Sequence, residues 1–240
     1  KLARGLAQAA EAAGARVFAR TAVTGLMRSG AGWQARLPGG AQITADQVIL
    51  ASNVYTPAAL EPRLARATVP ANSFQVATAP LSAAQLARIL PGGEVVSETR
   101  RVGTYFRIGP QNRLMLGGRG GFADPQSADA FARIEAEIAA LFGTDLEITH
   151  RWFGRVGMTP DHRIRLCAPV PGLLAATGFN GRGVALSVSL GKAMAAHLAQ
   201  GTPLPIPPSP AIRTLPLHAL HRIYGSLGIH YYRLRDALDR

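Results

Sequence analysis

The run Ala175-Ala176-Thr177-Gly178-Phe179-Asn180-Gly181-Arg182-Gly183-Val184-Ala185-Leu186-Ser187 decides how this chain folds. It closes a short apolar stretch, residues 173–177, that reads as a buried strand. Three glycines follow within six positions, and apolar residues then recur at helical spacing over 184–198 until Gly201, a C-cap signal. A strand, a glycine-rich turn and a helix start bring backbone N–H groups without helical partners to one spot. The helix dipole favours negative charge there by about 0.3–1 kcal/mol. The glycines are spaced GxxGxG, not GxGxxG, and no acidic residue follows Gly183 within about 20 positions, as a dinucleotide fingerprint requires. The turn therefore reads as an anion-stabilising device facing a group that gains negative charge, not as a pyrophosphate loop.

Working outward, residues 2–13 have helical periodicity and end at Gly14. Residues 16–20 read as a strand, and 23–28, 33–37 and 41–45 as an antiparallel meander with turns at 29–32 and 38–40. The apolar run 46–52 reads as a central parallel strand. From Pro70 the pattern changes to strands at 74–79, 94–98, 103–108, 114–118 and 147–157, with helices at 82–89 and 127–142. The fold class is thus α/β (α+β): a partial Rossmann-like layer with a β-meander, plus a large antiparallel sheet. The expected divisions are 1–69 and 161–202 for the nucleotide-binding layer and 70–160 for a substrate-facing sheet, followed by 203–240 as a proline-rich linker and a basic tail. Only two parallel strands, 16–20 and 48–51, are legible, and the chain opens directly in a helix. The expectation is a C-terminal fragment without its first βαβ unit.

Hydrophobic residues make up 48% of the 240 residues and charged residues 17%, which excludes disorder. The apolar runs fall far short of the roughly 20 residues that span a bilayer. The single cysteine, Cys167, excludes an internal disulfide and makes a reduced, cytoplasmic setting the expectation. The net charge of +12 raises nucleic acid as a partner, but the basic residues are almost all arginine and scattered, with Lys1 and Lys192 the only lysines. No nucleic acid is expected, and a nucleic-acid-binding protein is kept as a competing class. His150, His162 and His197 have no metal-ligand spacing, so no metal is expected. The tail, 215–240, is an amphipathic basic helix interrupted by Gly225 and Gly228. Docking on the body is its plainer reading; dimer packing or peripheral contact with an anionic membrane are the alternatives.

Four stretches carry a resemblance: residues 48–57 (Val-Ile-Leu-Ala-Ser-Asn-Val-Tyr-Thr-Pro), residues 76–81, Trp152-Phe153-Gly154 with Thr159-Pro160-Asp161, and residues 176–186. In this order they resemble the FAD-dependent oxidoreductases of the D-amino-acid oxidase, glycine oxidase and sarcosine oxidase superfamily, above all its gamma-glutamylputrescine oxidase branch. The resemblance covers almost the whole chain. It implies FAD as cofactor, with Val23 meeting the adenine through its backbone and Ala51, Ser52 and Asn53 near the ribose and pyrophosphate. It also implies that Gly178, Phe179, Asn180, Gly181, Arg182, Gly183 and Val184 present N–H groups to the flavin pyrimidine ring. The reaction implied is oxidation of an amine C–N bond by hydride transfer to the flavin, with dioxygen as electron acceptor. Amino-acid oxidases of the family carry a carboxylate-gripping arginine before the Thr-x-Asp element. Val156 stands there, beside Arg155, which favours an N-alkyl amine such as gamma-glutamylputrescine over a plain α-amino acid. Some members tether flavin through a cysteine near that element; Gly154 lies there and Cys167 is too late, so noncovalent FAD is expected.

In Tyr105-Phe106-Arg107-Ile108, strand alternation puts Tyr105 and Arg107 on one face. If that face lines the pocket, Tyr105 orients the amine and Arg107 an acidic end; a solvated face is the competing reading. Arg182 is either a residue over the flavin or a surface turn residue. Trp152 reads as core, and Thr159 with Asp161 as a structural turn. A non-catalytic interaction module left by truncation is the third class.

Overall fold

The computed structural model describes residues 1–143 and 145–239. Arg240, the last residue of the expected tail, lies outside the described residues. The chain opens with helix α1 (Leu2–Ala12), none of whose side chains is buried. Among the described residues the expected strand at 16–20 does not form: the segment pairs with none of them, and Val17 and Phe18 are half exposed. Without a neighbour to take its N–H and C=O groups, an isolated strand has nothing to hold it. The meander forms as expected from β1 (Gly25–Ser29), β2 (Gly32–Arg36) and β3 (Gln42–Ala45), paired antiparallel in that order. Next come β4 (Val48–Leu50), a 3₁₀ turn at Asn53–Tyr55 and the short helix α2 (Pro62–Ala65).

The antiparallel block follows. It runs β5 (Val69–Pro80), α3 (Ala83–Leu86), β6 (Val95–Ser97), β7 (Thr104–Ile108), β8 (Arg113–Arg119), α4 (Ala132–Phe142) and β9 (Ile148–Met158). Its sheet has the order β6-β7-β8-β5-β9, every pair antiparallel. A capping box between Ser82 and Gln85 starts α3, which is shorter than the sequence suggests because it unwinds after one turn. One face of this sheet carries Phe74, Val76, Phe106, Leu114 and Leu116, which pack with Ile134 and Ile138 of α4. Phe74 stacks on Phe131 at 4.6 Å between ring centroids, an arrangement worth about 0.5–1.5 kcal/mol beyond the buried area.

The return is built from β10 (Arg165–Val170), β11 (Leu173–Thr177) and α5 (Gly183–Gln200). β11 is buried along its whole length at the centre of a three-stranded sheet, antiparallel to β10 and parallel to β4. Among the described residues β4 thus lies at the edge of this sheet, where the sequence suggested a centre, and its parallel partner is β11. The periodicity missed β10 because Pro169 and Pro171 disguise a strand end. Leu190 and Met194 of α5 pack on Leu166, Leu174 and Ala176, and Gly201 closes the helix at φ +69°.

The proline-rich segment is not a free linker. Ser209, with prolines on both sides, donates its N–H to the Leu166 carbonyl and accepts from Ala168 N–H, both at 2.9 Å, along the open edge of β10. Ile212 is buried with Leu50, Cys167 and Leu173. Helix α6 (His221–Leu238) docks through Ile229, through Gly225 against the Phe122 ring, and through Asp236.

Candidate functional site

Strands β4 and β11 run parallel and end side by side, the place where α/β sheets receive ligands. Asn53, just past β4, locks the two ends together: its side-chain oxygen accepts from the Thr177 hydroxyl at 2.8 Å and the Gly178 N–H at 3.2 Å. Asn180 clamps the turn from the other side. It accepts from Thr159 N–H at 2.7 Å, and donates to the Gly178 carbonyl at 2.6 Å and, through its backbone, to the Gly157 carbonyl at 3.1 Å. Gly178 and Gly181 sit at φ +78° and +85°, which glycine adopts at no steric cost. A Cβ on Gly178 would meet Thr159 Cγ2 at 2.7 Å.

Gly183 differs. It is the first residue of α5, it is not among the positive-φ residues, and a Cβ there would touch only Phe179 Cβ at 3.7 Å. No side chain caps this helix and its first turn carries no acid. The N–H groups of Gly183, Val184 and Ala185 thus have no carbonyl of their own helix, and Val184 is 75% exposed. A rigid turn, bare N–H groups and a missing Cβ beside them fit the electron-rich edge of a planar cofactor.

Opposite the turn lies the open face of the five-stranded sheet. Tyr105 lies across Gly117, where any Cβ would collide with its ring. Its hydroxyl is 2.6 Å from Ser73 Oγ and accepts from Gln75 Nε2 at 3.2 Å. A cavity of about 300 Å³ joins this face to the turn, with Ser73, Tyr105, Arg119, Val156, Asn180 and Gly181 among its walls. Its rim is the β6–β7 hairpin. There burial pushes the Glu98 carboxyl up, but bonds from Arg100 and from Thr104 outweigh that and hold it below its ordinary value. Tyr55 crosses between the two layers by accepting from Arg155 N–H at 2.7 Å. Arg155 in turn pairs with Asp124 and holds that carboxyl below the usual range.

The sequence candidates fall at several places. Asn53, Gly178, Asn180, Gly181, Gly183 and Val184 surround the turn; Phe179 is buried beneath it against α5. Ala51 and Ser52 follow the end of β4, with Ser52 Oγ 2.8 Å from Thr56 Oγ1. Gly154 stands opposite Ser73 in register. Val23 is half-buried in the segment before β1. Arg182 is exposed and tied back to the His162 carbonyl at 3.0 Å. Arg107 shares a face with Tyr105 as alternation requires, but lines a second cavity of about 240 Å³ with Gln75 and Met115, separate from the turn. Trp152, expected in a core, is 39% exposed on the open face opposite Gln75, because no described element covers it. Cys167 packs in a core among Leu50 and Leu173, away from the cavity. Sequence reasoning missed Ser73, Gln75 and Arg119; only the strand register, Ser73 facing Arg119 and Tyr105 facing Gly117, brings them together.

A glycine turn at the ends of parallel strands faces the open side of an antiparallel sheet across one cavity, the kind of cleft in which α/β folds receive small ligands. The chain belongs to the FAD dependent oxidoreductase family, whose model matches residues 1–197; FAD is that family's cofactor. It is 36% identical over 203 residues to a probable oxidoreductase, OrdL, of Rhizobium meliloti, covering 84% of this chain and 46% of that protein. It is 28% identical over 249 residues to gamma-glutamylputrescine oxidoreductase of Escherichia coli, covering 99% of this chain and 56% of that one. The chain thus spans about half the length of the curated relatives it matches. Glycine oxidase from Geobacillus kaustophilus superposes over 86% of this chain and 55% of its own, with a TM-score of 0.68 at 24% identity. Iminodiacetate oxidase from Chelativorans does so over 86% and 56%, with a TM-score of 0.68 at 17% identity. These likenesses in structure establish the fold.

Proposed function

We propose that this chain forms the substrate face and flavin edge of an FAD-dependent enzyme that oxidises the C–N bond of an amine, gamma-glutamylputrescine or another N-alkyl amine. The observation that carries the reading is one cavity walled by both the polar sheet face around Tyr105 and, through Asn180 and Gly181, the glycine turn that leads into the uncapped start of α5. Noncovalent FAD supplies the hydride acceptor, with dioxygen as the oxidant that restores it. The N–H groups of Gly183, Val184 and Ala185 hold the cofactor edge that becomes electron-rich, and Asn53 and Asn180 keep those donors in place. The Tyr105 hydroxyl, fixed by Ser73 and Gln75, orients the amine at the cavity wall. Val156 offers no bidentate grip for an α-carboxylate, which favours an amine over a plain α-amino acid. One buried cysteine fits a reduced, cytoplasmic setting. The test is anaerobic reduction of the flavin-loaded full-length gene product by gamma-glutamylputrescine, glycine and D-alanine. The expected result is a higher kcat/KM for gamma-glutamylputrescine; a preference for D-alanine overturns the substrate reading.

A further inference from the structure

Three arginines line the cavity between the sheet and the turn, and only one of them has its charge uncompensated. Arg100 is bonded to Glu98 and Glu137, and Arg101 to Asp236 and Asp239. Among the described residues the Arg119 side chain has no hydrogen bond and no ion pair; only its backbone carbonyl is used, by Arg133. Glu98, the acid on the same wall, is engaged by Arg100 and by both the N–H and the hydroxyl of Thr104. Arg119 stands directly across from Ser73 in the β5–β8 register, and Ser73 is hydrogen-bonded to Tyr105. It therefore lies on the open face, in the same cavity as Asn180 and Gly181. A guanidinium left free at a cavity wall is matched by a carboxylate, which it takes through two parallel N–H bonds.

We propose that Arg119 receives a carboxylate carried by the substrate at the end remote from the reacting nitrogen, so that the substrate class is an ω-carboxylated amine. This rests on the amine-oxidising function proposed above and adds the group that fixes the substrate's far end. Val156 and Arg119 lie on β9 and β8, the two neighbours of β5, at positions opposite Ala71 and Ser73. The anion site is thus displaced across the sheet from the place of Val156, and a longer substrate than an α-amino acid is needed to reach it. Arg107 is excluded from this role because Tyr105 separates its cavity from the turn.

The test uses the flavin-loaded full-length gene product, its Arg119→Met and Arg119→Lys variants, and three probes: 5-aminopentanoate, pentylamine and the unreactive pentanoate. Calorimetry is expected to show pentanoate binding weakened at least tenfold by Arg119→Met and partly restored by Arg119→Lys. Turnover is expected to show KM for 5-aminopentanoate rising by a similar factor in Arg119→Met, with kcat kept and pentylamine unaffected. An unchanged pentanoate Kd in Arg119→Met overturns the proposal, as does an equal loss on pentylamine and 5-aminopentanoate. If neither amine is oxidised by any form, the amine-oxidising function fails, and pentanoate binding still decides the role of Arg119.

Discussion

At the scale of single residues, two glycines of one turn do different jobs. Gly178 needs its positive φ and has Thr159 Cγ2 within 2.7 Å of any added Cβ. Gly178→Ala is therefore expected to destabilise the fold by about 1–3 kcal/mol, read as a lowered Tm. Gly183 has neither constraint. Gly183→Val is expected to leave Tm close to wild type while slowing anaerobic flavin reduction about 10²–10³-fold, because the branched side chain sits where a bare backbone donor meets the cofactor edge. Measuring both quantities on one sample separates the cases. A lowered Tm with a normal reduction rate per bound flavin would assign Gly183 a purely structural role.

At the scale of elements, helix α6 buttresses the cavity rim. Asp236 accepts from the N–H groups of Arg101 and Val102, each at 3.0 Å, and these bonds, with that to the Arg101 side chain, hold its carboxyl below the usual range. Asp236→Ala is expected to speed hydrogen exchange at the amides of Arg101 and Val102 with little change in β11; unchanged exchange at both would dismiss the buttress. How legible each element is depends on what defines it. Residues 173–177 and the helix after Gly183 were legible because their burial is continuous and their period unbroken. The meander was legible from its turns. The segment 16–20 misled because Val17 and Phe18 look like strand residues, yet strand formation needs a partner that local sequence does not name. The site was half legible: the turn announces itself by its glycines, whereas Ser73, Gln75 and Arg119 meet Tyr105 only through pairing between strands distant in sequence.

At the scale of the whole molecule, charge sets the response to acid. Asp161 is held at about 2 by Arg165 and the Arg163 N–H, and Asp124, Asp236 and Glu98 are held below their ordinary values. Each carboxyl is lower in the folded than in the unfolded chain. Its contribution is complete above the unfolded value, about 4, and is lost as pH falls through the lowered folded value, which for Asp161 is about 2. Solvent screens each exposed pair, so no single one contributes much, but acid also leaves 26 Lys and Arg unopposed. Tm is expected to fall steeply below about pH 4 and to recover in part when salt rises from about 0.02 to about 0.3 M; a flat Tm across that range would refute the account. The 240 residues carry no GxGxxG, so this chain expressed by itself is expected to hold FAD only weakly. A stoichiometric yellow protein after gel filtration would show otherwise.

The seating of Ser209 on the edge of β10 bears on how the molecule meets proteases. A run of five prolines between 203 and 210 reads as a hinge that any protease would nick. Cleavage requires the chain to peel away and enter a protease cleft extended, and here Ser209 is already paired with β10 and Ile212, three residues on, is buried. Domain mapping by limited digestion will therefore not release the last helix as a separate piece, and a boundary drawn at the prolines would cut through the body of the protein.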